Sequence, residues 1–363
     1  MAKLTGKLSR RDMDDPKAPR RPAHEVLGVF GGGSPYGSTR YKARRLCPFE
    51  DGLITVAKLR PTRTHEALDV GWIAHAGWEA YYRVIQTYQK TFNGIPKKKS
   101  ARAEFLWGAL PEAERAAVAV VEAFRTEKNY GYTYETAAAI ILQYVDRYRR
   151  EDWWEVVACE ETIVYEEELP EPMRLYNADG SIAVEQTHWR YSARLDILVI
   201  DHAPGRYGLY DVECKTTKMI TEDLIHGYMQ DMQVLGQQWL IENCLDLSEL
   251  PPFKGVLVNI ASKHKIARFE RVHCFGNPGH LAAWENSTRT WAFANAVLGE
   301  LNYPKSLGSC AGALRGYSKC AFFDLCSAYP ERTIDDFKTT PPPLGFYRDE
   351  QKEQTSDCDS NQD

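Results

Sequence analysis

A change of hydrophobic period near Trp154 constrains this chain more than any other feature. Before it, apolar residues recur every three or four positions; after it, they alternate. His65–Phe92 reads as a helix closed by Gly94 and Pro96. A second helix starts at Pro111, with acids just behind the first-turn proline, and a third runs from about Tyr134 to Arg149. Trp154–Glu168, Trp189–Asp201 and Tyr207–Lys218 then read as strands, separated by turns at Asn177–Gly180 and Ala203–Gly205. A helix over about Ile220–Glu242, a strand over Phe253–Ser262 and a helix over about Gly279–Leu298 follow. Helices, a strand meander and a closing helix–strand–helix predict an α/β fold. Its mixed central sheet would be flanked by helices within a single elaborated domain.

The two ends differ from this body. Met1–Arg45 carries eleven basic and four acidic residues in Pro- and Gly-rich sequence, whereas Asp349–Asp363 sets six acids against one lysine. Residues 1–40 are therefore read as a flexible basic arm, 41–335 as the domain and 336–363 as an acidic disordered tail. A formal charge of −5 excludes a protein that coats nucleic acid by bulk charge, so any such contact must be a local basic surface. Candidates are Lys97–Lys99 and Arg40–Arg45 with Tyr41 between its cations. The most apolar stretch, Ala116–Phe124, falls well short of the roughly eighteen residues a membrane span needs. The first residues also lack the apolar core of a secretion signal. The expectations are a cytoplasmic protein, in a bacterium or phage-infected cell, and no membrane partner.

The chemistry concentrates in two strands. Glu213 and Lys215 are separated by Cys214, and a strand points alternate side chains the same way, so the acid and the ammonium share a face. Asp196 follows Ser192-Ala193-Arg194-Leu195 on the strand that would pair beside them. Two carboxylates meeting there make a hard oxygen site suited to Mg²⁺ or Mn²⁺. By itself, E-x-K also describes a solvated strand edge. Its setting among Leu209, Tyr210, Val212 and Ile197–Ile200 is apolar, where unpaired charges are costly.

In these residues the chain resembles the PD-(D/E)XK nuclease superfamily, with its restriction-endonuclease-like core, and within it the RecB-like branch that includes phage exonucleases. Gly71-Trp72-Ile73-Ala74-His75, followed by Glu79, resembles the branch's histidine helix. Val157–Ile163 resembles its first strand, with Glu160 the best match for the acid there and Glu161 adjacent. Arg194–Asp196 stands where the branch has "GriD", although Ser192-Ala193 replaces the usual glycine. Glu213–Lys215 matches E-x-K, and Gln233 opens a helix like the family's Q-x-x-x-Y, with Gln237 where tyrosine is usual. The resemblance implies metal ligation by His75, Asp196, Glu213 and the Cys214 carbonyl. It makes Asp196, Glu213, Lys215 and Gln233 the catalytic set.

Nine cysteines in a chain expected to be cytoplasmic argue against a disulfide framework. Iron–sulfur members of the branch carry one cysteine before the histidine helix and three near the C-terminus. Cys47 and Cys310, Cys320 and Cys326 follow that order, the last two as C-x₅-C, although nine residues between Cys310 and Cys320 is a wide gap. Four thiolates suit a [4Fe–4S] cluster, and zinc would satisfy the same sulfurs. The resemblance implies a Mg²⁺- or Mn²⁺-dependent DNA nuclease, an exonuclease of recombination, repair or phage DNA metabolism. Alternatives are a restriction-type endonuclease and a non-catalytic DNA-binding or assembly factor on the same fold. With no motor motif in the chain, a helicase, recombinase or annealing protein would be its partner.

Overall fold

The computed structural model describes residues 21–22, 47–57, 59–61, 66–92, 94–127, 131–149, 153–300, 320, 322–329, 331–343 and 346–348. Arg40–Arg45, Cys310 and almost all of the basic arm lie outside them, as do Asp349–Asp363. Contacts divide the chain into two units, one built on residues 65–294 and the other on 42–64 with 295–363. No helix among the described residues is long and apolar enough to cross a membrane.

The larger unit opens with α1 (Glu66–Gln89), α2 (Lys99–Trp107), α3 (Leu110–Glu127) and α4 (Gly131–Tyr148). Val70, Ile73, Ala74, Trp78, Tyr81, Tyr82 and Ile85 line one stripe of α1 and are buried, as the three- and four-residue spacing requires. The sheet consists of β1 (Trp154–Tyr176), β2 (Ile182–Asp201), β3 (Gly208–Thr217), β4 (Phe253–Ser262) and β5 (Phe269–Cys274), in that order across its width. Within this sheet only β3 and β4 pair in parallel; its other pairings are antiparallel. A parallel pair needs a crossover, supplied here by α5 (Glu222–Tyr228) and α6 (Met232–Cys244). The unit is thus a mixed α/β fold with a five-stranded mixed sheet flanked by helices.

Alternation sorts the strand side chains onto two layers. Ile197, Val199, Val212 and Cys214 join α1, α3 and α4 in one core. Leu198, Ile200 and Leu209 join Leu235, Trp239 and Ile241 of α6, with Trp284 of α7 (Pro278–Glu300), in another. Buried residues run almost without a break from Gly208 to Cys214, as a strand covered on both faces demands.

Three departures from the sequence reading matter. The helix expected over Ile220–Glu242 is two helices. The Thr221 side chain caps the first by accepting from Leu224 N–H, and the Asp231 carboxylate caps the second by accepting from Gln233 N–H at 2.7 Å. A fifth strand, β5, was not foreseen: it lies at the sheet edge, and the consecutive charges Glu270 and Arg271, the latter packed over Tyr148 and Trp154, hide the alternation. In the smaller unit, ordered chain continues past the boundary that composition places at residue 336. Thr333 and Asp336 cap a helix reciprocally at Ile334–Thr339, and Phe346–Arg348 pairs with Leu59–Pro61. Phe49, Leu53, Phe322, Ile334 and Phe337 make that unit's own core.

Candidate metal centre

Five elements of the larger unit deliver the polar side chains. His75 comes from α1, Glu160 from β1, Asp196 from β2, Glu213 and Lys215 from β3, and Gln233 and Gln237 from α6. Gly71 sets the depth of α1 against the sheet. A Cβ there would stand 2.9 Å from the Thr216 hydroxyl, so a larger residue would push the helix outward. One turn later His75 faces the carboxylates, its Nδ1 lying 3.6 Å from Asp196 Oδ2. One ring nitrogen of His75 and one oxygen each of Glu160 and Asp196 all lie within 4.8 Å of one another.

Glu160 reaches this position through an unusual backbone. Its φ of 55° is the sole positive value at a non-glycine residue among those described. The flanking ladder pairs, Cys159 with Ile197 and Glu161 with Leu195, place it across from Asp196. A left-handed glutamate costs on the order of 1–3 kcal/mol, and such strain tends to persist at functional sites. Glu160 Oε2 also lies 2.9 Å from Arg194 Nε.

The three acids nearest this point have different surroundings. Burial first, and then the Asp196 carboxylate, push the Glu160 acid up to about 8, against the pull of Arg194. Burial, followed by Glu213, raises Asp196 to about 6, although His75, Lys215 and a 2.7 Å hydrogen bond from Cys214 N–H favour its charge. When both are ionised these two carboxylates repel each other, and Arg194 beside Glu160 and the Cys214 N–H on Asp196 offset only part of that charge. Glu213, by contrast, is fully engaged: it accepts from Lys215 Nζ, from Gln233 Nε2 at 2.7 Å and from Gln237 Nε2. Lys215 Nζ also donates to Gln233 Oε1 at 3.0 Å. Burial works against the Lys215 charge, but Glu213 and Asp196 outweigh it and raise its pKa.

The residues read from the sequence fall into two linked groups. His75 and Asp196 join Glu160 in the open cluster, while Glu213, Lys215 and Gln233 form the network beside it. Cys214 contributes its N–H to Asp196, and its thiol lies in the core on the α1 side. Lys97–Lys99 are exposed at the start of α2. Cys47, Cys320 and Cys326 share the apolar core of the smaller unit, and Cys320 Sγ accepts from Phe322 N–H at 3.4 Å.

Two residues were missed or undervalued. Gln237, noted only as a departure from tyrosine, is buried and gives Glu213 one of its three donors. Asp211 is buried on β3, and neither carboxylate oxygen has a hydrogen-bond partner. Burial, then Glu213 and Asp196, push it well above the usual carboxylate range, favouring the neutral acid. Its spacing of two residues before Glu213 was the available signal.

No family model matches the chain, and no curated protein matches it. Among solved structures it is similar to the crystal structure of SSO0001, at 11% identity over 58% of this chain and 84% of that one. The TM-score is 0.24, too low for the likeness to bear on fold or site.

Proposed function

We propose that this chain is a divalent-metal-dependent DNA nuclease of the PD-(D/E)XK type, acting as an exonuclease in recombination, repair or phage DNA metabolism. The observation that carries the reading is the convergence of His75, Glu160 and Asp196 from three elements within 4.8 Å, next to the Glu213–Lys215 pair. The donor set fits a divalent cation: two carboxylate oxygens with raised affinity for protons, and one imidazole nitrogen. Mg²⁺ and Mn²⁺ favour oxygen ligands, and Mn²⁺ accepts nitrogen more readily, so Mn²⁺ should support activity at lower concentration.

His75, Glu160 and Asp196 would hold the ion, with Glu213 at its flank. A bound ion would offset the charge of these acids and supply Lewis-acid chemistry, polarising a phosphodiester and lowering the pKa of an attacking water. Lys215 acts as a fixed cation and not as a base, because its neighbours raise its pKa. Held by Glu213 and Gln233, its ammonium orients the water and stabilises charge developing on the phosphate. Gln237 keeps Glu213 in the rotamer that holds Lys215.

The test is incubation of purified protein with end-labelled single- and double-stranded DNA, with Mg²⁺, Mn²⁺ or EDTA. Nucleotide release from the ends with metal, abolished by EDTA, supports the reading. Discrete internal products point to the endonuclease, and DNA binding without cleavage under any metal to the scaffold.

We further propose that Cys47, Cys310, Cys320 and Cys326 hold a [4Fe–4S] cluster or a zinc ion in the smaller unit. The three described thiols share one small core, and the N–H donated to Cys320 is of the kind that stabilises a thiolate. Brown protein from anaerobic purification, bleached by Cys320→Ser, identifies the cluster. Colourless protein with stoichiometric zinc identifies the alternative, and protein with neither metal rejects both.

A further inference from the structure

A carboxylate cluster repels the DNA backbone it is to cut, and the chain as a whole is acidic at −5, so the substrate must be held by a local basic surface. Such a surface lies at the carboxyl ends of the two parallel strands β3 and β4. The loop from β4 to β5 reads Lys263-His264-Lys265-Ile266-Ala267-Arg268, without an acid. Its backbone is fixed. Lys263 N–H donates to Thr217 O at 2.7 Å, Ser262 N–H to Arg268 O at 2.9 Å, and Ala267 N–H to Gln143 Oε1 at 2.9 Å. Gln143 Nε2 in turn donates to Lys265 O at 2.6 Å. Lys265 has Glu135 as an ion-pair partner at 3.1 Å, both side chains being well exposed, and such pairs exchange readily for other partners.

Two observations connect this loop to the metal centre. The Lys263 ammonium would stand 4.0 Å from a Cβ on Gly71, and Gly71 is one helical turn before His75. A turn of four residues advances about 6 Å along the axis. That is one to two nucleotides of a strand rising about 3.4 Å per nucleotide. Next to Gly71, the Trp72 side chain is 56% exposed, although its edge is fixed against Phe124 at 4.8 Å between ring centroids. Ile266 is 87% exposed on the pinned loop. Exposed aromatic and aliphatic groups on rigid backbone beside cations suit unpaired bases better than a closed duplex, whose bases are stacked on one another.

We propose that the β4–β5 loop and Trp72 form the lane that guides a single DNA strand into the metal centre. Lys263 grips a phosphate next to the scissile one, and Trp72 stacks on an unpaired base. This deepens the nuclease reading and rests on it.

The test is fluorescence anisotropy of a labelled oligothymidylate, and of a duplex of equal length, titrated with the full chain in EDTA over a range of salt. Cleavage of the same strand in Mn²⁺ is measured in parallel. Lys263→Gln should weaken oligothymidylate binding about fivefold and reduce the salt slope by about 0.7, the value of one single-strand phosphate contact. Lys263→Arg should restore both. Trp72→Leu keeps an apolar contact for Phe124 and should still weaken binding about tenfold, as loss of one stacked base does. The duplex should bind more weakly than the single strand and should be insensitive to Trp72→Leu. Unchanged salt slopes in Lys263→Gln, or equal effects of Trp72→Leu on both DNAs, overturn the lane while wild-type cleavage leaves the nuclease standing. A wild-type chain that neither binds nor cuts DNA removes both.

Discussion

Glu160 and Glu213 are both sunk into the same sheet, yet the chain treats them in opposite ways. Glu213 has a lysine and two glutamines around it, so its charge is matched before any ligand arrives. Glu160 has the Arg194 guanidinium 2.9 Å away on one side and the Asp196 carboxylate on the other, on strained backbone. The Glu213 group is matched in charge within the chain, whereas the Glu160–Asp196 pair sets two carboxylates against each other, which is where the proposed cation would act. Matched and poorly matched charge are thus placed side by side. Removing a carboxylate from each should move stability in different directions.

The largest effect expected is at Asp196. On the proposed nuclease reading Asp196→Asn should reduce cleavage to background, because it removes a proposed ligand, while stabilising the metal-free protein by on the order of 1–2 kcal/mol through lost repulsion. Activity assays and thermal melts in EDTA read the two halves. A variant that is inactive and also less stable would place Asp196 with the Glu213 group.

Next comes Lys215. Lys215→Met should cost on the order of 10² in rate. It should also destabilise by about 3 kcal/mol, because Glu213 is left buried with its cation gone. Adding Glu213→Gln should recover much of that stability and none of the rate. Denaturant unfolding of the two single variants and the double variant measures the coupling. Additive losses would mean that the pair is not a unit.

The remaining effect is that of pH on the metal-free protein. Glu160 and Asp196 hold protons more tightly folded than unfolded, with values near 8 and 6 against ordinary values of about 4. The folded state therefore binds the extra protons, and stability must fall as pH rises from about 4, most steeply up to about 6 where both acids contribute, then less steeply to about 8, and level off above that. Asp211, also raised, acts in the same direction. Mn²⁺ should flatten this slope, since it competes with those protons and stabilises most at high pH. A melting temperature that climbs between these values in EDTA would reverse the assignment of which acids are poorly matched in charge.

How much of this was legible in the sequence depended on whether a residue's role follows from its local period. The stripe on α1 and the shared face of Glu213 and Lys215 follow from repeats of about 3.6 and 2 residues, and both could be read directly. The choice between Glu160 and Glu161 could not. It depends on one φ angle that breaks the alternation at that point, and nothing in Cys159-Glu160-Glu161 announces it. The break before α6 was hidden for a similar reason: Asp231 restarts the helix as a cap, but in the sequence it reads as one more polar helical residue. Asp211 escaped notice because it sits in a run otherwise apolar enough to read as plain core.

The left-handed backbone at Glu160 also governs how this position can drift over generations. Glycine or asparagine adopts that conformation easily, so either would relax the strand at once and abolish the carboxylate with it. Valine or isoleucine would be refused by the backbone whatever the selective regime. A lineage that stops using the centre should therefore slide at position 160 toward glycine or asparagine, and only a lineage that depends on the acid has reason to keep so awkward a residue there.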